Sequence, residues 1–332
     1  MDSTFICVAL ICAVAFAFDF INGFHDAANS IATVVSTRVL RPSYAVVWAA
    51  FFNFAAFFVF GVRVAETVGA KLIDQQSVTN ELILAALIGA IVWDLLTWYM
   101  GLPASSSHAL IGGLAGAALV QSGTDALIMP GLYKVTAFIV LSPLIGLVLG
   151  YGARTLVSRL FWHSSPKATA RHFRRLQLVS AALYSLGHGA NDAQKTMGVI
   201  AILLFANGYL GSTFHVPTWV IITAYAAISL GTMAGGWRII KTMGMRITKL
   251  QPVDGFCAET AAAASLFATA AAGIPVSTTH TITGAIVGVG STRRLSAVRW
   301  GVTVSVVWAW ILTIPGSALV AAAARLVLFA FH

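Results

Sequence analysis

Gly23-Phe24-His25-Asp26-Ala27-Ala28-Asn29 sets polar residues inside apolar sequence, and Gly189-Ala190-Asn191-Asp192-Ala193-Gln194-Lys195 does the same in the second half of the chain. A second pair follows in the same order. Pro103-Ala104-Ser105-Ser106-Ser107-His108-Ala109-Leu110-Ile111-Gly112 aligns with Pro275-Val276-Ser277-Thr278-Thr279-His280-Thr281-Ile282-Thr283-Gly284. Pro103 lies 77 residues after Asp26, and Pro275 lies 83 after Asp192. One matched pair could be chance. Two pairs in one order at nearly one spacing indicate an internal repeat.

The sequence around these motifs belongs in a bilayer. Of 332 residues, 58% are hydrophobic and 9% are charged, and the mean hydropathy is +0.87. Soluble chains carry roughly 25% charged residues, so a soluble enzyme and a nucleic-acid binder are both excluded. The net charge of +9 sits in short connections, as it does in membrane proteins. Apolar runs fall near 5–21, 27–37, 43–61, 81–99, 104–121 and 132–152, and again near 177–187, 193–206, 217–235, 256–273, 278–290 and 300–331. The expected fold is therefore an all-α integral membrane protein of about twelve membrane segments. Residues 1–152 form a first repeat, 153–176 a basic connection and 177–332 a second repeat. The polar interruptions at Asn22–Asp26 and Pro103–His108 predict broken or re-entrant helices at the repeated motifs. The N-terminus lacks a basic region and a cleavage site, and reads as the first membrane segment. Cys7, Cys12 and Cys257 show no metal-ligand spacing and read as core or lipid-facing residues.

Loop charges orient the repeats. Arg38 and Arg41 mark 38–42, whereas 207–217 carries no Lys, Arg, Asp or Glu. Residues 62–80 are balanced, whereas 236–255 carry Arg238, Lys241, Arg246 and Lys249 against Asp254. Residues 121–131 hold only Asp125, whereas 291–299 hold Arg293, Arg294 and Arg299. At each matched position one loop is basic and the other is not. The positive-inside rule then requires halves of inverted topology, with 153–175 cytoplasmic and both termini outside. Each half must cross the membrane an odd number of times, so 5–37 and 177–206 each count as one net crossing.

Asp26 and Asp192 are the leading functional candidates. A carboxylate at membrane depth costs at least about 2.5–3.5 kcal/mol and normally faces a cavity or a partner; an interfacial helix end or a structural ion pair is the ordinary alternative. The Pro-x-Ser motifs read as helix starts, where free N–H groups and the positive dipole end attract anions. Ser105, Ser106 and Ser107 would face Ser277, Thr278 and Thr279 from opposite sides, although simple capping of two turns uses the same residues. An anion beside two carboxylates about 4 Å apart meets roughly 4 kcal/mol of repulsion per charge pair at an effective dielectric of 20. A co-transported cation, H+ or Na+, or a metal carried with the anion, must then neutralise the site. Asp26, Asp192, Glu259 and His25 are the candidate cation-coupling residues. Asp94 ranks lower because its aligned position is not acidic. Lys195 stands at a helical neighbour position to Asp192. Pairing with Asp192 or Glu259 is the ordinary reading, and direct contact with substrate is the other. With His108 and His280 it is assigned a structural or gating role. No His-x-x-x-His or mixed Cys/His spacing supports a resident metal, and no cofactor is expected.

These motifs resemble those of the inorganic phosphate transporter (PiT) family, whose duplicated signature has the form Gly-Ala-Asn-Asp-Val-Ala-Asn. The resemblance covers essentially the whole chain and departs at His25, where Asn is commoner. It implies a secondary active transporter that imports inorganic phosphate by cation-coupled symport, with H+ or Na+ as the coupling ion and a metal–phosphate complex as a further form of the cargo. It also implies an inverted repeat and a homodimer in the inner membrane. By carry-over, Asp26, Asn29, Asn191 and Asp192 with the hydroxyl motifs would form the phosphate and cation sites. A histidine side chain ordinarily titrates near neutrality, so His25 tilts the coupling toward protons or metal–phosphate. A sulfate symporter would share the architecture. An anion channel would share the helix starts but has no need of paired carboxylates.

Overall fold

The structure, a computed structural model, describes residues 3–330. The first half contains α1 (Ser3–Ser36), α2 (Pro42–Ala55, prolonged by a 3-10 turn Ala56–Phe58), α3 (Arg63–Lys71), α4 (Asn80–Met100), α5 (Ser106–Ser122) and α6 (Met129–Leu160). The second half contains α7 (Pro166–Ala206), α8 (Thr218–Ala234), α9 (Trp237–Lys241, running into a π-helical turn Thr242–Arg246), α10 (Pro252–Ala271), α11 (Thr278–Ser291) and α12 (Trp300–Ala330). Among the described residues there is no strand, only an isolated bridge between Ile73 and Leu127.

The expected break in the helices does not occur at the Asp motifs. α1 passes through Asn22–Asp26 unbroken for 34 residues, and α7 passes through its copy unbroken for 41. The polar residues that read as interruptions lie within continuous helix. The connection at 153–176 is itself largely helical: α6 extends to Leu160 and α7 begins at Pro166, leaving only 161–165 as a turn. Among the described residues, length and composition do not confirm twelve membrane segments. Four helices, α1, α4, α6 and α12, are long and apolar enough to cross a membrane. The number rises to six if α2 with α3 (bent by 80°) and α8 with α9 and its π turn (bent by 62°) each count as one span. α5 and α11 have 17 and 14 residues. At 1.5 Å per residue they reach about 25 and 21 Å, short of a hydrocarbon core of about 30 Å.

α1 and α7 cross antiparallel through the centre. Asp19 meets Thr196, Asp26 lies beside Asp192, and Thr37 meets Gln177. Two apolar cores flank this crossing. One gathers Ile11, Ala15 and Phe18 with Met197, Ile200 and Leu203, and the other gathers Ala28 and Ile31 with Ala181, Tyr184 and Leu266. The polar site lies between them. Around it the halves exchange partners: α5 packs on α4 and α12, and α11 packs on α10 and α6.

Glycine at the head of each signature permits this packing. A Cβ on Gly23 would lie 2.1 Å from the Ile228 carbonyl oxygen of α8, and one on Gly189 would lie 2.5 Å from that of Asn53 on α2. Both neighbours are backbone and cannot turn aside. Gly23→Ala is therefore expected to lower stability by at least about 1–3 kcal/mol through overpacking. Gly152→Ala, with nothing within 4 Å, should instead be neutral or stabilising by about 1 kcal/mol. Thermal unfolding of the two purified variants in detergent tests the pair.

Candidate functional site

Each hydroxyl motif starts a helix, and a glycine in the left-handed region precedes it. Gly101 (φ 68°) and Gly273 (φ 63°) turn the chain after α4 and α10. The extended segments beginning at Pro103 and Pro275 then lead into α5 and α11. Ser105 caps α5 by accepting from the His108 N–H at 3.3 Å, and Ser277 caps α11 by accepting from the His280 N–H at 3.2 Å. The two helix starts face each other, with the His108 and His280 rings 4.7 Å apart edge to face. His280 also stacks on Trp310 at 3.9 Å, so both histidines buttress the junction.

The two signature carboxylates meet where these helices converge. One ligating atom each from Asp26, His188 and Asp192 falls within 4.8 Å of the others, and all three residues are buried. The hydroxyls reach across the halves. Ser107 donates to Asp192 Oδ1 at 3.3 Å, Thr278 donates to Asp192 Oδ2 at 2.8 Å, and Thr279 donates to Asp26 Oδ2 at 3.2 Å. Asn29 Nδ2 donates to Thr279 at 2.8 Å. Asn191 Nδ2 donates to the carbonyls of Gly187 and Leu266 at 2.9 and 3.2 Å. With their amide groups held in this way, the side-chain oxygens Asn29 Oδ1 and Asn191 Oδ1 are buried without a hydrogen-bond partner, as is Ser106 Oγ.

The aspartates differ in their counter-charges. Lys195 Nζ donates to Asp192 Oδ1 at 2.5 Å, to the Val276 carbonyl at 2.7 Å and to Ser107 Oγ. Asp192 therefore has a resident ammonium, and Lys195 has no proton left over. His188 Nε2 lies 3.1 Å from Asp192 Oδ2 without hydrogen-bond alignment. Asp26 has only His25, whose Nδ1 is 2.7 Å from Oδ1 and whose Nε2 is 3.0 Å from the Thr97 hydroxyl. Asp94, fully buried beside His25 and Asp26, has no hydrogen-bond partner on either oxygen.

Glu259 sits apart from this centre. Its carboxylate accepts from Thr33 at 2.5 Å, from Gln177 at 3.0 Å and from Ser180, which places it two helical turns along α1 from Asp26. Of the sequence candidates, Asp26, Asn29, Ser107, Asp192, Lys195, Thr278 and Thr279 meet in one network. Ser105 and Ser277 serve as caps, and Ser106 lies near Asp94. Asp19, Thr33, Thr97, Gln177, Ser180 and His188 were not singled out as site residues. His188-x-x-x-Asp192 is an i,i+4 pair that the sequence does display.

A buried pair of carboxylates, ringed by hydroxyls at two opposed helix starts, has the donor and acceptor chemistry of an oxyanion site in a membrane protein. The comparisons agree. The model of the phosphate transporter family matches residues 22–172 and 162–321. A protein of Rhizobium meliloti described as a probable low-affinity inorganic phosphate transporter is 61% identical over 97% of both chains. One of Bacillus subtilis with the same description is 44% identical over 99% of both. A solved structure titled the sodium-dependent phosphate transporter superposes with a TM-score of 0.90 at 25% identity, covering 98% of this chain and all of the other. The chain belongs to the phosphate transporter family; it is a multi-pass membrane protein and not an enzyme.

Proposed function

We propose that the protein imports inorganic phosphate by symport with a cation, H+ or Na+, through alternating access at the Asp26–Asp192 site. The observation that carries this reading is the meeting of the two hydroxyl-bearing helix starts at the two carboxylates. Hydroxyl and helix-end donors suit phosphate oxygens. The carboxylates and the free Asn29 and Asn191 oxygens suit its P–OH groups. Charge supplies the coupling. Lys195 balances Asp192, but Asp26 remains, and carboxylates within 4.8 Å of each other already repel by roughly 3–4 kcal/mol at an effective dielectric of 20. A phosphate anion entering this site requires positive charge to enter with it. The names of the relatives support phosphate as cargo, and that of the structural neighbour supports a coupled cation.

The two halves act as inverted repeats, 1–152 and 177–332, joined through 153–176. The antiparallel crossing of α1 and α7, the exchanged packing partners and the loop charges support this. So does the equal placement of Gly101 and Gly273. The same charges support both termini lying outside the inner membrane. A homodimer follows from the family resemblance. Two cavities elsewhere in the fold carry basic residues. One of about 330 Å³ is lined by Arg63 and Gln194, and one of about 540 Å³ is lined by Ser36, Lys241, Arg246, Lys249 and Arg299. Both carry cations that attract an anion.

The decisive measurement is radiolabelled phosphate uptake into proteoliposomes under Na+ and pH gradients imposed separately. Absence of accumulation under either gradient would remove the symport reading. Topology is tested with Trp162→Cys, Met245→Cys and Tyr209→Cys, all exposed positions, in a background without Cys7. The first two are expected to label only from the cytoplasm and the third only from outside. Labelling of all three from one side would overturn the inverted arrangement.

A further inference from the structure

Polar residues on α1 recur as Asp19, Asn22, Asp26, Asn29 and Thr33, alternately three and four residues apart. This spacing holds them on one face of the helix. Asp26 is the middle of the stripe. At one end Thr33 leads to Glu259, whose oxygens are fully served by three donors. At the other end lies Asp19, two turns before Asp26 and 0% exposed.

Asp19 is not served. Its Oδ1 accepts from the Thr196 hydroxyl at 3.0 Å, and its Oδ2 has no partner. One turn on, Asn22 Oδ1 is also buried and unpartnered. The groups facing Asp19 are Asn22 on its own helix, Asp192, Lys195 and Thr196 on α7, and Tyr225 on α8. Lys195 is the only cation among them, and its three protons are already committed. Beyond these groups lie Phe18, Met197 and Ile228 of an apolar core. A carboxylate buried in such surroundings requires positive charge, and none among the described residues bonds Oδ2.

We infer that Asp19, Asn22 and Thr196 form a second cation site, distinct from the paired aspartates, which holds the coupling ion between Asp26 and the face of the membrane where α1 begins. All its donor atoms are oxygens, which suits a hard monovalent cation; Na+ and a proton are the two sources of that charge. The inference rests on cation coupling as proposed above, and it deepens that reading by giving the ion a station of its own.

The test does not depend on transport. Purified protein without phosphate is heated while NaCl is raised against choline chloride at fixed pH, and separately while pH is lowered without Na+. In Asp26→Asn, where the central site is impaired, a saturable cation-dependent rise in Tm is expected to persist in one arm, and that arm identifies the ion. Adding Asp19→Asn is expected to abolish it, and adding Thr196→Val instead to raise the half-saturating cation concentration at least tenfold. Loss of the whole effect in Asp26→Asn alone, or its survival in the double variant, would overturn the second site. If the Asp19→Asn combination does not fold, an unshifted midpoint in the Thr196→Val combination overturns it equally. Absence of phosphate uptake by the wild type would sink the transport reading and leave this result standing by itself.

Discussion

Asp26→Asn is expected to abolish concentrative phosphate uptake, lowering it at least a hundredfold, while the protein stays folded; Asp192→Asn is expected to abolish uptake and also to destabilise the protein. The difference arises from the counter-charges. Asp26 bonds His25 and Thr279, and an asparagine amide can retain hydrogen bonds to both. Asp192 is the counter-ion of Lys195. Its removal leaves a fully buried ammonium with only a hydroxyl and a carbonyl, and breaking a buried pair in this way costs about 3–5 kcal/mol. Asp192→Asn combined with Lys195→Met should recover most of that stability and none of the uptake. Thermal unfolding and proteoliposome accumulation, measured on all four proteins, separate the two effects. Wild-type accumulation in Asp26→Asn would refute the coupling role of that carboxylate.

The second large effect is discrimination against sulfate. Phosphate near neutral pH carries one or two P–OH donors, and sulfate carries none. The proposed site would present the two carboxylates and the unpartnered oxygen of Asn29 as acceptors for such protons, with the unpartnered oxygen of Asn191 as a fourth by carry-over from the family motif. With sulfate bound these would face bare oxygens. Each unpaired buried group costs about 1–3 kcal/mol, and sites built for a substrate hydroxyl reject analogues that lack it by large factors. Two mismatches at about 1–3 kcal/mol each give an expected preference for phosphate of at least about thirtyfold. Arsenate, which bears the same protons, competes well. Thr278→Ala removes a donor that serves either anion, so it weakens affinity without changing the ratio. Equal displacement of labelled phosphate by sulfate and by arsenate would defeat this account and advance a sulfate symporter.

Much of the candidate site was legible because repetition is a sequence property. The duplicated Asp and hydroxyl motifs name Asp26, Asp192, Ser107, Thr278 and Thr279, and the helix-start chemistry of Pro-x-Ser locates the donors. Helix continuity was misread. A hydropathy run treats Asn22, His25 and Asp26 as a break, although the spacing of Asp19, Asn22, Asp26, Asn29 and Thr33 marks one polar face of an unbroken helix. That same spacing could have found Asp19. The Glu259 cluster was beyond reach. Thr33, Gln177, Ser180 and Glu259 come from three helices, and only their packing brings them together. Lys195 lay between, since its nearness to Asp192 is local whereas its bond to Val276 is tertiary.

The unbroken course of α1 and α7 has a mechanical consequence. The rods lie against each other from Asp19 and Thr196, past Asp26 and Asp192, to Thr37 and Gln177. With no hinge at either motif, the alternating access proposed above would have to tilt or slide each rod as a whole. Movement at one mouth would then be felt at the other, through the stiffness of the helices themselves.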